Sequence, residues 1–425
     1  MSLVTSIARR ILLLCNCVHG ILIYIANYEG NITVLSLTEN SFASTGSSKY
    51  VEDGYFPGYA PATGYDLSVV ETFKTPALTP QWMTLNHHNN ILYLIDGVTT
   101  GNGSVTAYRT SSKNGTGLVE LDSVECLLDG SFATFYANGK GLAVVHFTSS
   151  AIQTYDITAS NGTIRPLQTF TYTMAHHGPG ARQNAPHIHQ TITDPLGEYL
   201  LGTDFGADLV RVYAIDDGTL LLDKRESLNA TKSSGPHHAI FSREPILFPD
   251  GVAGYVFYLG AELAGTITAY RVTYLPKRGG LKFKLLKAYS SLEPGIPKPD
   301  VGDNGITSEV QLTPDGNYII VSNRFDQRYN GTKEQYPPNG KSDTISTFRV
   351  RKDLGGLLDF VQAAPAGGYV PRAMDLNAAG NLAAVAIQYG PRVSILERDL
   401  CTGTFSEQVA TVKVQGQTWA VVWDN

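Results

Sequence analysis

An all-β ring, a seven-bladed β-propeller closed by its own C-terminus, is the fold this 425-residue sequence predicts. Three observations carry the prediction: one strand pattern recurs seven times, its first copy lacks a strand, and the last residues supply one. The copies are "ILIYIANYEGNITVL", "ILYLIDGVTTGNGSVTAY", "GLAVVHFTSSAIQTY", "EYLLGTDFGADLVRVY", "GYVFYLGAELAGTITAY", "NYIIVSNRF" continuing to "DTISTF", and "NLAAVAIQYGPRVSIL". Each reads as apolar or alternating strands separated by short polar turns. Six of them follow one further strand and turn, as in "HQTITDPLG", "SEVQLTPDG" and "RAMDLNAAG". The first copy lacks this leading strand, and "QTWAVVWDN" at the C-terminus has no strands after it. A ring of four-stranded blades closes when one terminus completes the blade begun by the other, leaving no free sheet edge. Two β-sandwiches in tandem would have no need for that match. Residues 21–425 are therefore expected to form a single propeller domain.

Composition agrees and narrows the partners. The chain has 42 Gly, 21 Pro and 23 Tyr with only 16% charged residues, which argues against helical bundles and disorder. A net charge of -6 excludes an electrostatic footprint for nucleic acid, so a small molecule is the expected partner. Arg9 and Arg10 followed by "ILLLC" read as a signal segment over residues 1–20, with extension of the first strand as the alternative. Sequons at Asn31, Asn102, Asn114, Asn161, Asn229 and Asn330 fit a secreted glycoprotein, and a cytoplasmic location is the alternative. No later stretch is long and apolar enough to span a bilayer. Cys15 and Cys17 would leave with a signal, and Cys126 and Cys401 could pair or stay free.

Within each repeat the strand before the "DPLG"-type turn is innermost and the strand after it is its antiparallel neighbour, so the start of one and the end of the other share a rim. Counting back eight residues from the turn glycine reaches Ser131, His189, Ser308 and Arg372, and by pattern His237. Counting forward seven or eight reaches His146, Asp204, Asn323 and Arg324, and by pattern Glu262. His189, His237, Glu262, Arg324 and Arg372 thus fall at one mouth of the channel. Two imidazoles, a carboxylate and two guanidiniums exceed what solvation of a rim requires. In "PHIHQ", alternation along a strand sends His187 and His189 to the same face. Adjacent His237 and His238 are expected on opposite faces, and no carboxylate sits at metal-motif spacing, so no metal site is expected. His87, His88, His176 and His177 read as solvated loop residues. There is no "GxSxG" elbow for a serine nucleophile.

Together "RQNAPHIHQ", "TDFGADLVRVY", "GPHHAIFS", "ELAGTITAY", "SEVQLTPDGNYIIVSNR" and "PRAMDLNAAGNLAAVA" resemble the seven-bladed lactonase family, which includes propeller-type 6-phosphogluconolactonases and fungal 3-carboxy-cis,cis-muconate lactonizing enzymes. The resemblance spans roughly residues 21–425. It implies a lactone opened by water, or closed from an unsaturated acid, without metal or organic cofactor. Matched motif by motif, the histidine of "HxHQ" is His189, the acid of "EL" is Glu262 and the base of "SNR" is Arg324. The family commonly has Arg in "GPRH" where this chain has His237, and an acid where it has Asn184. Imidazole for guanidinium weakens anion binding at neutral pH, because arginine stays charged while histidine is mostly neutral.

The expected function is a cofactor-independent lactonase for a small anionic or sugar-type lactone. His189, Glu262, Arg324 and His237 form its catalytic set, and His187, Arg372, Asp204, Glu309 and His146 contact substrate. His189 serves as base or acid aided by Glu262, and Arg324 steadies the oxyanion or anchors an anionic group. The alternatives are a muconate cycloisomerase acting on an unsaturated polycarboxylate and a secreted propeller that only binds a ligand.

Overall fold

The computed structural model describes residues 20–39, 64–98, 100–110 and 117–424, so residues 1–19 of the proposed signal segment and Asn114 lie outside the described residues. Seven four-stranded antiparallel sheets stand around a central channel, and among the described residues the helical content is two 3-10 turns, Pro276–Arg278 and Lys352–Leu354. The fifth sheet carries an added short strand, Ile246–Leu247. The predicted closure is present. Blade 1 consists of Ile21–Asn27, Asn31–Glu39 and Tyr65–Lys74, and its inner strand is the C-terminal Thr418–Asp424, paired from Leu22↔Asp424 to Ala26↔Ala420. Tyr24 Oη donates to Asp424 Oδ2 at 2.9 Å across the same seam.

The remaining blades begin with inner strands Pro80–Asn86, Gly130–Tyr136, Ile188–Thr193, Pro236–Phe241, Thr307–Leu312 and Tyr369–Leu376. Each inner strand touches the next, and the last touches Thr418–Asp424, which completes the circle. Second strands such as "ILYLID", "GLAVVH", "YLLGTD" and "YIIVSN" are buried along their whole length. A sheet covered on both faces demands apolar residues at both parities, which is why these runs do not alternate. Outer strands such as Leu281–Ser290 are largely exposed, because nothing covers the outer edge of the blade. The apolar side chains sort into seven clusters, one between each pair of neighbouring blades. Ile23, Ile25 and Trp423 meet Ala384 and Ile395 where blade 1 closes on blade 7.

One backbone irregularity repeats around the ring. Every inner strand carries a β-bulge against its neighbour: Pro80/Trp82, Gly130/Phe132, Ile188/Gln190, Pro236/Ala239, Thr307/Val310, Pro371/Ala373, and Thr418 to Ala420 opposite Asn27 and Ala26. A bulge leaves a residue unpaired and re-aims its side chain. The residues so released include Gln81, Ser131, His189, His237, Arg372 and Trp419, and all six line one cavity. The turn glycines used as counting marks, Gly197 and Gly316, sit at φ +69° and +66°, a left-handed region that costs a side chain dear, so the marks are structurally equivalent.

Among the described residues, no helix is long and apolar enough to cross a membrane. Cys126, buried, and Cys401, exposed, are both free thiols. Asn31 is buried in its strand, whereas Asn102, Asn161, Asn229 and Asn330 are exposed.

Candidate active site

The cavity at the bulged end of the channel has a volume of about 270 Å³. Its reactive wall comes from blades 4 to 6. Glu262 follows the strand Ala253–Ala261, and its backbone is pinned on both sides: its N–H donates to Gly235 O at 2.8 Å and its carbonyl accepts from Ile306 N at 2.9 Å. Gly305 lies so close that an added Cβ would stand 2.1 Å from Glu262 Cγ, so only glycine leaves room for the carboxylate. Glu262 Oε1 accepts from Arg182 Nη2 at 2.7 Å and lies 3.2 Å from Arg324 Nη2. Its Oε2 is 3.2 Å from His237 Nε2. The His189 ring lies against that of His237, tilted by 33° with centroids 3.5 Å apart. His237 Nδ1 meets Ser308 O at 3.2 Å and its Nε2 meets Arg324 Nη2 at 3.3 Å. A guanidinium only donates, so this network places the proton on Nδ1 and the lone pair on Nε2.

Burial and neighbouring charge set the protonation states. His189 is lowered well below the ordinary imidazole value by burial and by His237, His238 and Arg372. His237 is lowered in the same way by burial, His238 and Arg324. Both rings are neutral at pH 7 and hold a lone pair for a proton. Burial pushes Glu262 upward, but Arg324 and Arg182 overcome it and hold the carboxyl at about 2, so it is an anion throughout the physiological range. Burial and Arg324 lower Arg372 to about 9.

The opposite wall is largely neutral. Arg372 lies over the Trp419 ring at 4.0 Å, and Tyr28 packs on the same indole at 4.7 Å. Gln81 Nε2 donates to Gly97 O and Asp129 Oδ1 at 3.0 and 3.1 Å. Three guanidiniums, Arg182, Arg324 and Arg372, face two carboxylates, Glu262 and Asp129, so the cavity has a surplus of positive charge.

The structure gathers His189, His237, Glu262, Arg324 and Arg372 as expected, and corrects four other placements. Seven residues past the turn glycine a side chain faces the packing, and eight past it the cavity, because strand alternation separates the two parities. Asp204 stands at the inward parity. It accepts from His187 N and Ala207 N at 2.9 and 3.0 Å and from Arg211 at 2.6 Å, which ties a loop rather than contacting substrate. His146 is fully buried behind Gly130, and burial lowers it to about 4. His187 precedes its strand, stacks on Phe147 at 4.4 Å, and spends its two nitrogens on Phe147 O and Asn184 Oδ1 at 2.9 and 2.8 Å. Glu309 turns away from the cavity to His238 Nδ1 at 2.8 Å.

The expectation that His237 and His238 leave opposite faces also fails. The bulge between Pro236 and Ala239 breaks alternation, and the two rings lie 4.7 Å apart. His87, His88, His176 and His177 are exposed as expected. Sequence reasoning missed Arg182, which reaches the cavity from the loop over residues 172–187. It also missed Tyr28, Gln81 and Trp419, because the blade 2 turn "NHHNN" carries no glycine to count from and no turn follows the C-terminal strand.

A family model described as "Lactonase, 7-bladed beta-propeller" matches residues 59–422. The chain is 24% identical to a probable 6-phosphogluconolactonase of Arthroderma benhamiae, over 83% of this chain and 84% of that one. It is 25% identical to a 6-phosphogluconolactonase of Bacillus subtilis, over 79% and 84% respectively. The solved periplasmic gluconolactonase of Pseudomonas aeruginosa shares the fold with a TM-score of 0.71 at 20% identity, covering 95% of this chain and 98% of that one. With the ring, its closure and the cavity in place, this chain belongs to the seven-bladed β-propeller lactonase family of enzymes.

Proposed function

We propose that the enzyme opens a small lactone bearing an anionic or sugar-type substituent, by attack of a water held between the two neutral imidazoles and the guanidiniums. The observation that carries this reading is the contact of His237 with Glu262, Arg324 and the His189 ring, all in one cavity. His189 takes the water proton as general base, and the imidazolium then returns it to the leaving alkoxide. Arg324 and Arg372 steady the carbonyl oxyanion, where preorganised cations in a dry site act most strongly. Glu262, already an anion, carries no proton at neutral pH. It orients Arg324 and Arg182 and offsets the charge of the transient imidazolium. Arg182 stands at the mouth, half-exposed, where a phosphate or carboxylate on the substrate would meet it. The names of the relatives, 6-phosphogluconolactonase and gluconolactonase, support a sugar lactone.

The test is hydrolysis of 6-phosphogluconolactone and gluconolactone by the purified protein, with His189→Ala beside it. Loss of roughly 10²- to 10⁴-fold in kcat is expected, the usual worth of a general base. Turnover that survives in His189→Ala would defeat the assignment. The three guanidiniums also suit a carboxylated muconate, and loss of diene absorbance on adding the protein would favour that second reading.

A further inference from the structure

Behind the cavity-lining pair His189 and His237 lies a third imidazole, His238, buried edge-on against Phe132. We propose that His189, His237 and His238 together bind one divalent transition-metal ion of the zinc and cobalt class. One ligating nitrogen from each ring lies within 4.8 Å of those of the other two. Bonds of 2.0–2.1 Å to a tetrahedral ion bring such nitrogens to roughly 3.4 Å, so small side-chain rotations close the set.

The surroundings are those of a built ligand shell. His238 Nδ1 is bound to the Glu309 carboxylate at 2.8 Å, and His237 Nδ1 to the Ser308 carbonyl at 3.2 Å. A carboxylate or carbonyl on the far nitrogen is the arrangement that fixes a metal-binding imidazole's tautomer and orientation. It turns both Nε2 atoms away from those partners, His237 Nε2 being shared with Arg324 at 3.3 Å. Two further atoms call for a partner: His189 Nδ1 and Glu309 Oε2 are buried without a hydrogen bond among the described residues. Both belong to side chains more than nine-tenths buried, where an unsatisfied polar atom is costly.

One contact argues against the site and is resolved by the same geometry. An ion on His237 Nε2 takes the lone pair that Arg324 now shares. Arg324 keeps its ion pair with Glu262 at 3.2 Å, so the guanidinium stays compensated, and Glu262 Oε2, 3.2 Å from His237 Nε2, stands near the position of a fourth ligand. Three imidazoles select zinc, cobalt, nickel or copper over magnesium or calcium, which take oxygen ligands. The site goes beyond the hydrolytic reading and does not rest on it. Ligation and proton transfer are exclusive uses of the same lone pairs, so a loaded protein is expected to lose the imidazole-base route.

The experiment is a Co²⁺ titration of the purified full-length chain after chelator treatment and dialysis, followed by visible absorption and back-titration with Zn²⁺. One equivalent of Co²⁺ with the bands of a four- or five-coordinate nitrogen site is expected, displaced by Zn²⁺. His237→Arg, which removes the lone pair but keeps a long polar side chain, and His238→Gln are each expected to weaken binding by about tenfold or more, with unchanged circular dichroism. Glu309→Gln should weaken it by about 10- to 100-fold. A quadruple variant with glutamine at His87, His88, His176 and His177 keeps the wild-type titration. The proposal is overturned if the wild-type chain shows no Co²⁺ band up to a concentration on the order of 1 mM, if folded His238→Gln titrates with the wild-type affinity, or if the band vanishes in the quadruple surface variant. Because absorption and stoichiometry are read without substrate, an inactive protein that binds cobalt sinks the hydrolytic reading alone.

Discussion

On the side of the mouth built by blades 4 to 6, His237, Glu262, Arg324 and Arg182 touch one another through short polar contacts, and the His189 ring lies against that of His237. On the side built by blades 1, 2 and 7, Trp419, Tyr28 and Gln81 present aromatic faces and an amide, with Arg372 lying over the indole at the border. On both walls a bulge at the start of the inner strand aims one residue at the cavity, while Glu262, Arg324 and Tyr28 follow second strands and Arg182 comes from a loop. The ring therefore supplies the same position seven times, and the residue type installed there decides whether it reacts, binds or merely encloses. In a low-dielectric pocket the clustered wall is strongly coupled, whereas the aromatic wall acts by contact area.

Substitutions on the two walls should separate the two jobs. The larger effect of this pair is that of Arg324→Met, which removes a cation from the proposed oxyanion position and leaves Glu262 with Arg182 alone. A fall in kcat of about 10²- to 10³-fold is expected by steady-state assay. Trp419→Ala, on the other wall, removes the stacking partner of Arg372. It should raise KM by about five- to thirtyfold with kcat nearly kept, the worth of a cation–π contact of about 1–2 kcal/mol in a desolvated site. If Trp419→Ala costs kcat as much as Arg324→Met, the division of labour is wrong.

The smallest effect concerns the rim outside the reactive wall, where Asp343 and Asp326 lie in the loops of blade 6. Burial and Asp326 push Asp343 up to about 8, and burial raises Asp326 as well. An unfolded carboxyl titrates near 4. The folded pair therefore keeps a proton that the unfolded chain has lost, so the stability it contributes is fully present below pH 4 and declines as pH rises toward 8. The melting temperature should drift downward over that window, and Asp343→Asn should flatten the drift. An unchanged slope in the variant would place the titration elsewhere.

Much of the site was readable because the repeats share a turn. Counting from Gly197 and Gly316 found His189 and Arg324, and applying the pattern to a longer turn found His237 and Glu262. The same count nominated Asp204 and His146, because a one-residue difference in offset reverses the face, and sequence alone left seven and eight both open. His238 was misplaced because strict alternation was assumed at a strand start where the backbone is bulged. Arg182 was missed because its loop follows no period. Its place over Phe205 at 4.6 Å, with Nε donating to Asp303 O at 2.8 Å, depends on another blade's loop.

The amino-acid sequence by itself determined the ring, its seven blades and its closure, since apolar periodicity and turn chemistry are local properties that repeat. Which polar groups meet was left to the tertiary structure. Glu262 is an anion because guanidiniums from two other blades surround it, Asp204 is structural because Arg211 binds it, and Glu309 belongs to His238 across a blade boundary. Partner choice among buried charges is settled by three-dimensional distance and desolvation, and neither is written along the chain.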